Sequence, residues 1–260
     1  MASLSVIVIT KNEAYNIYAC LQSVAFADQI VVLDSGSTDE TVNMARSAGA
    51  EVSEALDWKG FGIQKNRALA LAHSDWVLSI DADEQVTPEL RAEIMTVLRA
   101  PDFDAYSCPR LSSYCGQIMR FSGWNPDRVT RLFRRNTAIF STDLVHEKLL
   151  TQSLVGKLHS SLKHESYRNF EEVLEKGNRY STAGALRLKS KGKNASLRSA
   201  LVHGMWAFIR TYFLRLGLLD GRLGFVLSVS IAEETYYRYL KLWMLGYQVN
   251  SGSPGGHKKS

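Results

Sequence analysis

The sequence predicts an α/β fold: a mostly parallel sheet with mixed strands added to it and a helical C-terminal region. Three observations carry this expectation. Short, β-branched apolar runs alternate with segments of helical period through the first hundred residues. The period then shortens to strand-like pieces after Pro101, and from Glu171 onward apolar residues recur at helical spacing.

Residues 4–10 (LSVIVIT) form a near-continuous apolar run, as a strand buried on both faces requires. Ile17, Leu21 and Val24 then mark one face of a helix. Residues 29–33 (QIVVL) are a second buried strand, ending at Asp34. Ser37 and Glu40 make a capping-box signature for the next helix, Gly49 stops it, and residues 51–55 are a weaker strand. After an aromatic, glycine-bearing loop a helix is expected over 63–72, with Gln64, Lys65, Asn66 and Arg67 in its first turn. Residues 76–80 are another buried strand, and Thr87-Pro88 supplies an N-cap and a first-turn proline for a helix to about Arg99. Strands alternating with helices in this way give a parallel sheet with crossover helices. Later strands are expected over 105–108, 117–121, 131–135 and 154–157. Residues 197–219 and 223–245 read as two long amphipathic helices, and the Gly/Ser/Lys composition of 251–260 predicts a flexible tail.

A chain of 260 residues suffices for one large domain or a domain plus an extension. The net charge of +5 is unevenly spread: the first hundred residues lean acidic, whereas 187–198 is basic. That asymmetry points to an anionic partner for the C-terminal part, phosphate-bearing lipid or nucleic acid. Three cysteines without a CxxC pair predict a reducing, cytoplasmic compartment. The N-terminus opens on a strand pattern and not on a secretory signal. No uninterrupted apolar run reaches the roughly 18 residues of a spanning helix, which still permits a peripheral membrane location.

In an open parallel sheet the ligand sits outside the carboxyl ends of the strands. Three such ends are polar here: Thr10-Lys11-Asn12-Glu13, Asp34-Ser35-Gly36-Ser37 and Asp81-Ala82-Asp83-Glu84. Singly each reads as a turn; three on one edge read as a site, and clustered acids there suit a hard divalent cation. No GxGxxG follows a strand and no Walker pattern occurs, which disfavours dinucleotide redox cofactors and P-loop phosphoryl transfer.

Taken together, TKNEA (10–14), VVLDSGSTDET (31–41), GFGIQKNRAL (60–69) and SIDADE (79–84) resemble, in order and spacing, family 2 glycosyltransferases of the GT-A fold. Within that family the chain is most similar to bacterial lipopolysaccharide core-biosynthesis enzymes of the β-1,4-glucosyltransferase type, to about Tyr247. The resemblance implies a Rossmann-type sheet, a UDP-sugar donor, inversion at the anomeric carbon and a divalent cation, Mg²⁺ or Mn²⁺. By position it places Thr10, Asn12, Glu13 and Asp34 at the nucleotide, with Lys65 and Asn66 near it. Asp81 falls to the ribose or the metal, Asp83 and His164 to the metal, and Glu147 in VHE to the catalytic base. Arg131 in RLFRR would meet the diphosphate. The QxxRW motif of processive relatives is missing, so polymerisation of a long chain is not expected.

The implied organisation is a nucleotide-sugar-binding and catalytic domain over 1–168, a helical, membrane-associating region over 169–247 and a tail over 248–260. The implied reaction moves a hexose, glucose by preference, onto a heptose of the lipopolysaccharide inner core. It would take place on the inner face of the inner membrane, with an anionic membrane surface and no nucleic acid among the partners. Breaking a glycosyl–phosphate bond leaves negative charge on the diphosphate, which a cation at Asp83 offsets, while a carboxylate base activates the acceptor hydroxyl for about 10²–10⁴-fold in rate. On residues alone, Glu147 equally reads as a surface charge, His159 and His164 as core or surface histidines, and the RLFRR arginines as a solvated strand face. Trp124 reads as a packing residue or a sugar platform. A related transferase with another donor or acceptor, and a non-catalytic binding protein of the same fold, remain the alternative functions.

Overall fold

The computed structural model describes residues 2–142 and 148–251. The chain divides into two compact units, residues 1–112 with 126–165, and residues 113–125 with 166–260.

The first unit is α/β, as the alternation of apolar runs dictates. β1 (Leu4–Thr10), α1 (Ile17–Ser23), β2 (Gln29–Asp34), α2 (Thr41–Ser47), β3 (Glu51–Glu54), α3 (Phe61–Leu71) and β4 (Trp76–Asp81) follow one another, and β3-β2-β1-β4 are parallel neighbours. The period-2 pattern of β1 explains its central place. Val6 and Val8 join a core with Ile17, Leu21 and Ala45 of α1 and α2, while Ile7 joins another with Ala68 of α3. Next come β5 (Glu84–Val86) and α4 (Pro88–Val97), whose N-cap Thr87 accepts from the Leu90 N–H as the Thr-Pro pair predicts. β6 (Ala105–Tyr114), β7 (Gln117–Ile118), β8 (Arg128–Arg134), β9 (Ala138–Phe140), β10 (Leu149–Thr151), β11 (Val155–Lys157) and β12 (Leu162–Tyr167) complete the strands among the described residues. The sheet continues from β4 through β8, β6, β12 and β5, with β8 antiparallel to both β4 and β6.

Local differences from expectation have plain causes. The Ser37/Glu40 capping box does not form: α2 starts at Thr41 without a side-chain cap, because the Ser37 hydroxyl and N–H are taken by Asp34. β5, β9, β10 and β12 were not foreseen; three of them are three residues long, too short to show an alternation. The helix expected over 197–219 is interrupted. α6 (Leu197–Ile209) passes into a π-helical turn, Arg210–Leu214, then a 3₁₀ turn, Gly217–Asp220, before α7 (Gly221–Ser251).

In the second unit α7 packs against both α6 and α5 (Phe170–Ser190), above a small core of Tyr114, Met119, Val173 and Leu227. Trp124 stacks on Tyr167 there. Gly224 has to be glycine: a Cβ would lie 2.0 Å from the Gly217 carbonyl oxygen.

Candidate active site

β1 lies between β2 and β4, so the chain leaves it in opposite directions across the sheet and opens a crevice at the carboxyl ends. Register brings the three polar strand ends together: Thr10 pairs with Asp34, and Ile9 with Asp81. Asp34 is buried, and one carboxylate oxygen accepts from the N–H groups of Gly36 (2.8 Å) and Ser37 (2.7 Å). Asn12, at φ +56°, accepts from the Thr38 N–H through its side chain and donates its own N–H to Ser37 Oγ, both at 2.8 Å. Glu13 donates its N–H to Thr41 Oγ1 and accepts from Asn16. Asn12, Glu13 and Asp34 therefore knit two loops into one rim. Thr10 Oγ1 is buried there without a protein partner among the described residues, which calls for a bound group or water.

The acidic turn after β4 splits into two environments. Glu84 is 0 % exposed and shares Arg131, at 2.6 Å, with Asp81, also at 2.6 Å. Lys65 from α3 meets the other Asp81 oxygen at 2.8 Å, Arg110 reaches Glu84 at 3.4 Å, and the Asp81 N–H donates to Glu84 at 3.0 Å. Burial pushes the Asp81 carboxyl up, but Arg131 and then Lys65 outweigh it and hold the group well below the usual carboxylate range. Burial likewise disfavours the Arg131 cation, yet Asp81 and Glu84 raise it well above its ordinary value. Lys65 and Arg131 are thus placed on the acids themselves.

Asp83 turns the other way. Its Oδ2 lies 3.4 Å from His164 Nε2, both side chains partly exposed, and its carbonyl accepts from the Glu165 N–H. β12 brings His164 there by pairing with β5, opposite Glu84. The other ring nitrogen, Nδ1, is 2.9 Å from Ser112 Oγ, which orients the imidazole. A carboxylate and an imidazole with a polar orienting contact are a fitting donor pair for a divalent cation. Among the described residues no group of three or more metal-ligating side chains comes together. An octahedral ion that keeps several waters and bridges substrate phosphates needs only one or two protein ligands.

Asn66 brackets β9, donating to the Phe140 carbonyl at 2.8 Å and accepting its N–H at 2.9 Å. Shortly beyond, Ser141 and Lys148 exchange hydrogen bonds. Glu147, the expected base, lies outside the described residues. Sequence reasoning left Glu84 without a role in the acidic strand end and missed Arg110 and Ser112 as parts of the site. The signal for Glu84 was available: an acid two residues short of the apolar Val86, in a turn that follows a buried strand.

Fold and crevice define an α/β protein whose acidic strand ends meet at a topological switch point. The Glycosyl transferase family 2 model matches residues 5–164, and the chain belongs to that family. It is 32% identical to an uncharacterised glycosyltransferase of Rickettsia prowazekii, over 93% of this chain and 87% of that one. It is 28% identical to the lipopolysaccharide core biosynthesis glycosyltransferase LpsC of Rhizobium meliloti, over 91% and 93% of the two chains. Among solved structures, glucosyl-3-phosphoglycerate synthase from Mycobacterium tuberculosis superposes with a TM-score of 0.47 at 17% identity, covering 66% of this chain and 75% of that one.

Proposed function

We propose that this transferase moves a hexose, glucose from UDP-glucose by first preference, onto a heptose of the lipopolysaccharide inner core with inversion. The observation that carries the reading is the Asp83–His164 pair, held beside the Thr10–Asp34 strand ends at the switch point. Family membership, and the 28% identity to a core-biosynthesis enzyme along almost the whole chain, support the class of reaction and of acceptor. Asp83 and His164 would hold the cation, and the imidazole favours Mn²⁺ over the all-oxygen preference of Mg²⁺. When bound, it would offset the charge left on the departing diphosphate. Asn12, Glu13 and Asp34 would hold the nucleotide, Thr10 offering its unsatisfied hydroxyl. Arg131 and Lys65 would fix the acidic turn, leaving Asp81 a shared oxygen for the ribose. Asn66 would position the chain that leads to Glu147. Glu147 would take the proton from the acceptor hydroxyl on the far face of the sugar, a single displacement that inverts the centre.

No helix among the described residues is long and apolar enough to cross a membrane. Peripheral attachment to the inner face of the inner membrane is our reading, because it brings a water-borne donor to a lipid-anchored acceptor. Calorimetric titration of UDP with and without Mn²⁺ tests the cation: Asp83→Ala is expected to abolish the gain that Mn²⁺ gives. Equal UDP affinity in all arms would remove the cation from the proposal. Glu147→Gln is expected to cost about 10²–10⁴-fold in turnover with UDP binding intact, measured against truncated lipopolysaccharide by mass spectrometry; retained turnover removes it as base.

A further inference from the structure

Between Glu175 and Asp220 the chain carries no acidic residue and nine lysines and arginines. The same stretch holds most of α5 and all of α6, and α6 turns apolar side chains outward. Leu201, Met205, Trp206 and Ile209 are exposed at helical spacing, Met205 by 66 %. The π turn that follows, closed by the Arg215 N–H to the Arg210 carbonyl at 2.8 Å, leaves Phe213 and Leu214 exposed as well. Leu216, Leu218 and Leu219 are exposed on the turn that follows.

That turn is built to present them. Leu216 adopts φ +55°, a left-handed conformation that a leucine enters only under constraint. Asp220, buried, accepts from the N–H groups of Arg120 and Phe121 and from the Ser122 hydroxyl. The Ser122 N–H donates to the Arg215 carbonyl at 2.8 Å. Ordering a turn this firmly while leaving three leucines in water is a cost that an apolar partner repays.

The charge around the face selects the partner. Arg187, Lys191, Lys193, Arg198 and Arg210 are exposed along this acid-free stretch, so a second copy docking through the same stretch would oppose like charges. No helix among the described residues is long and apolar enough to cross a bilayer. We propose that α6 and the pinned turn after it seat in the interface of an anionic lipid bilayer. The leucine, tryptophan and phenylalanine side chains would enter the headgroup–acyl boundary and the basic side chains would meet lipid phosphates. This deepens the membrane-surface part of the proposed function and rests on it, but does not need the sugar-transfer chemistry.

The test is co-sedimentation of the full chain with phosphatidylcholine/phosphatidylglycerol vesicles and with pure phosphatidylcholine vesicles, over a salt series. Binding is expected to be at least tenfold tighter to the anionic vesicles and to weaken with salt. Trp206→Ser with Leu214→Ser is expected to cost about tenfold or more on both. The triple change Lys191→Ala, Lys193→Ala, Arg198→Ala, all at exposed positions and so harmless to the core, is expected to cost about tenfold or more on the anionic vesicles alone. Equal binding to both vesicles, or either variant binding as the parent does, overturns the proposal. So does concentration-dependent dimerisation, seen by sedimentation velocity, that the Trp206/Leu214 variant abolishes. UDP titration of the same proteins separates the two readings: parent protein that binds vesicles but not UDP loses the donor assignment and keeps the membrane surface.

Discussion

The two units of this protein treat charge in opposite ways and differ in where they expose apolar side chains. The α/β unit packs apolar side chains on both faces of the sheet, exposes others such as Tyr15, Leu56 and Leu154 on separate loops, and concentrates opposite charges in one largely buried cluster, Asp81 and Glu84 against Arg131 and Lys65. The helical unit leaves leucine, methionine and tryptophan side chains in solvent and keeps 44 consecutive residues free of acids. A buried ion cluster gains little net stability over an apolar core, so its presence argues for fixing geometry, here that of the turn carrying Asp83. Exposed apolar side chains gain nothing from folding, so theirs argues for a partner.

The largest expected break is in the cluster. Arg131→Met leaves Glu84, fully buried, with the Asp81 N–H and, among the cations described above, only Arg110 at 3.4 Å, and is expected to cost about 3–5 kcal/mol. At roughly 2–4 °C per kcal/mol for a chain near this size, calorimetry would show a fall in Tm of roughly 6–20 °C. The same change alters the acid limb. The folded-state pKa of Asp81 is depressed, so its contribution is complete above the unfolded value of about 3.9 and is lost as pH falls below it toward the folded one. Urea melts between pH 7 and pH 3 are expected to show a shallower loss below pH 4 in Arg131→Met than in the parent. An unchanged acid limb would mean that Arg131 does not hold the Asp81 carboxylate.

Much of this was legible in the sequence, and the part that was not has a common reason. The strands 4–10, 29–33 and 76–80 announce themselves by continuous β-branched runs, and their polar ends follow directly. His164 was placed near the cation by resemblance, and β12 brings it beside Asp83. What remained hidden depends on pairing across the chain. The Arg131–Glu84 contact spans 47 positions and the Ser112–His164 contact 52, and nothing local in either segment signals its partner. The Ser37–Glu40 capping signature misled because Asp34, three residues earlier, competes for the same Ser37 groups.

A smaller break is expected in the helical unit. Asp220→Ala strands the N–H groups of Arg120 and Phe121 and the Ser122 hydroxyl, at about 2–3 kcal/mol for hydrogen bonds to a buried charged acceptor. Thermal melts would show it, and the comparison sharpens if the variant also loses affinity for anionic vesicles while UDP binding is kept. If UDP binding falls instead, the turn after α6 serves the α/β unit and not the lipid surface.

The finest test separates holding a cation from orienting its holder. Ser112 sits 2.9 Å from His164 Nδ1 and has no place in the buried ion cluster, so Ser112→Ala leaves that cluster intact and removes only the contact that fixes the ring. Outer-shell losses of this kind cost about 10–100-fold in metal affinity, and one weak hydroxyl contact on a partly exposed histidine belongs at the lower end, about tenfold. Mn²⁺ titration in the presence of UDP, read by electron paramagnetic resonance, would measure it. The Tm without metal should stay with the parent, because the contact is part-exposed and its loss strands no fully buried charge. A Tm loss as large as that of Arg131→Met, with Mn²⁺ affinity unchanged, would make the Ser112–His164 contact a strut of the sheet, and Asp83 would then stand alone in the cation proposal.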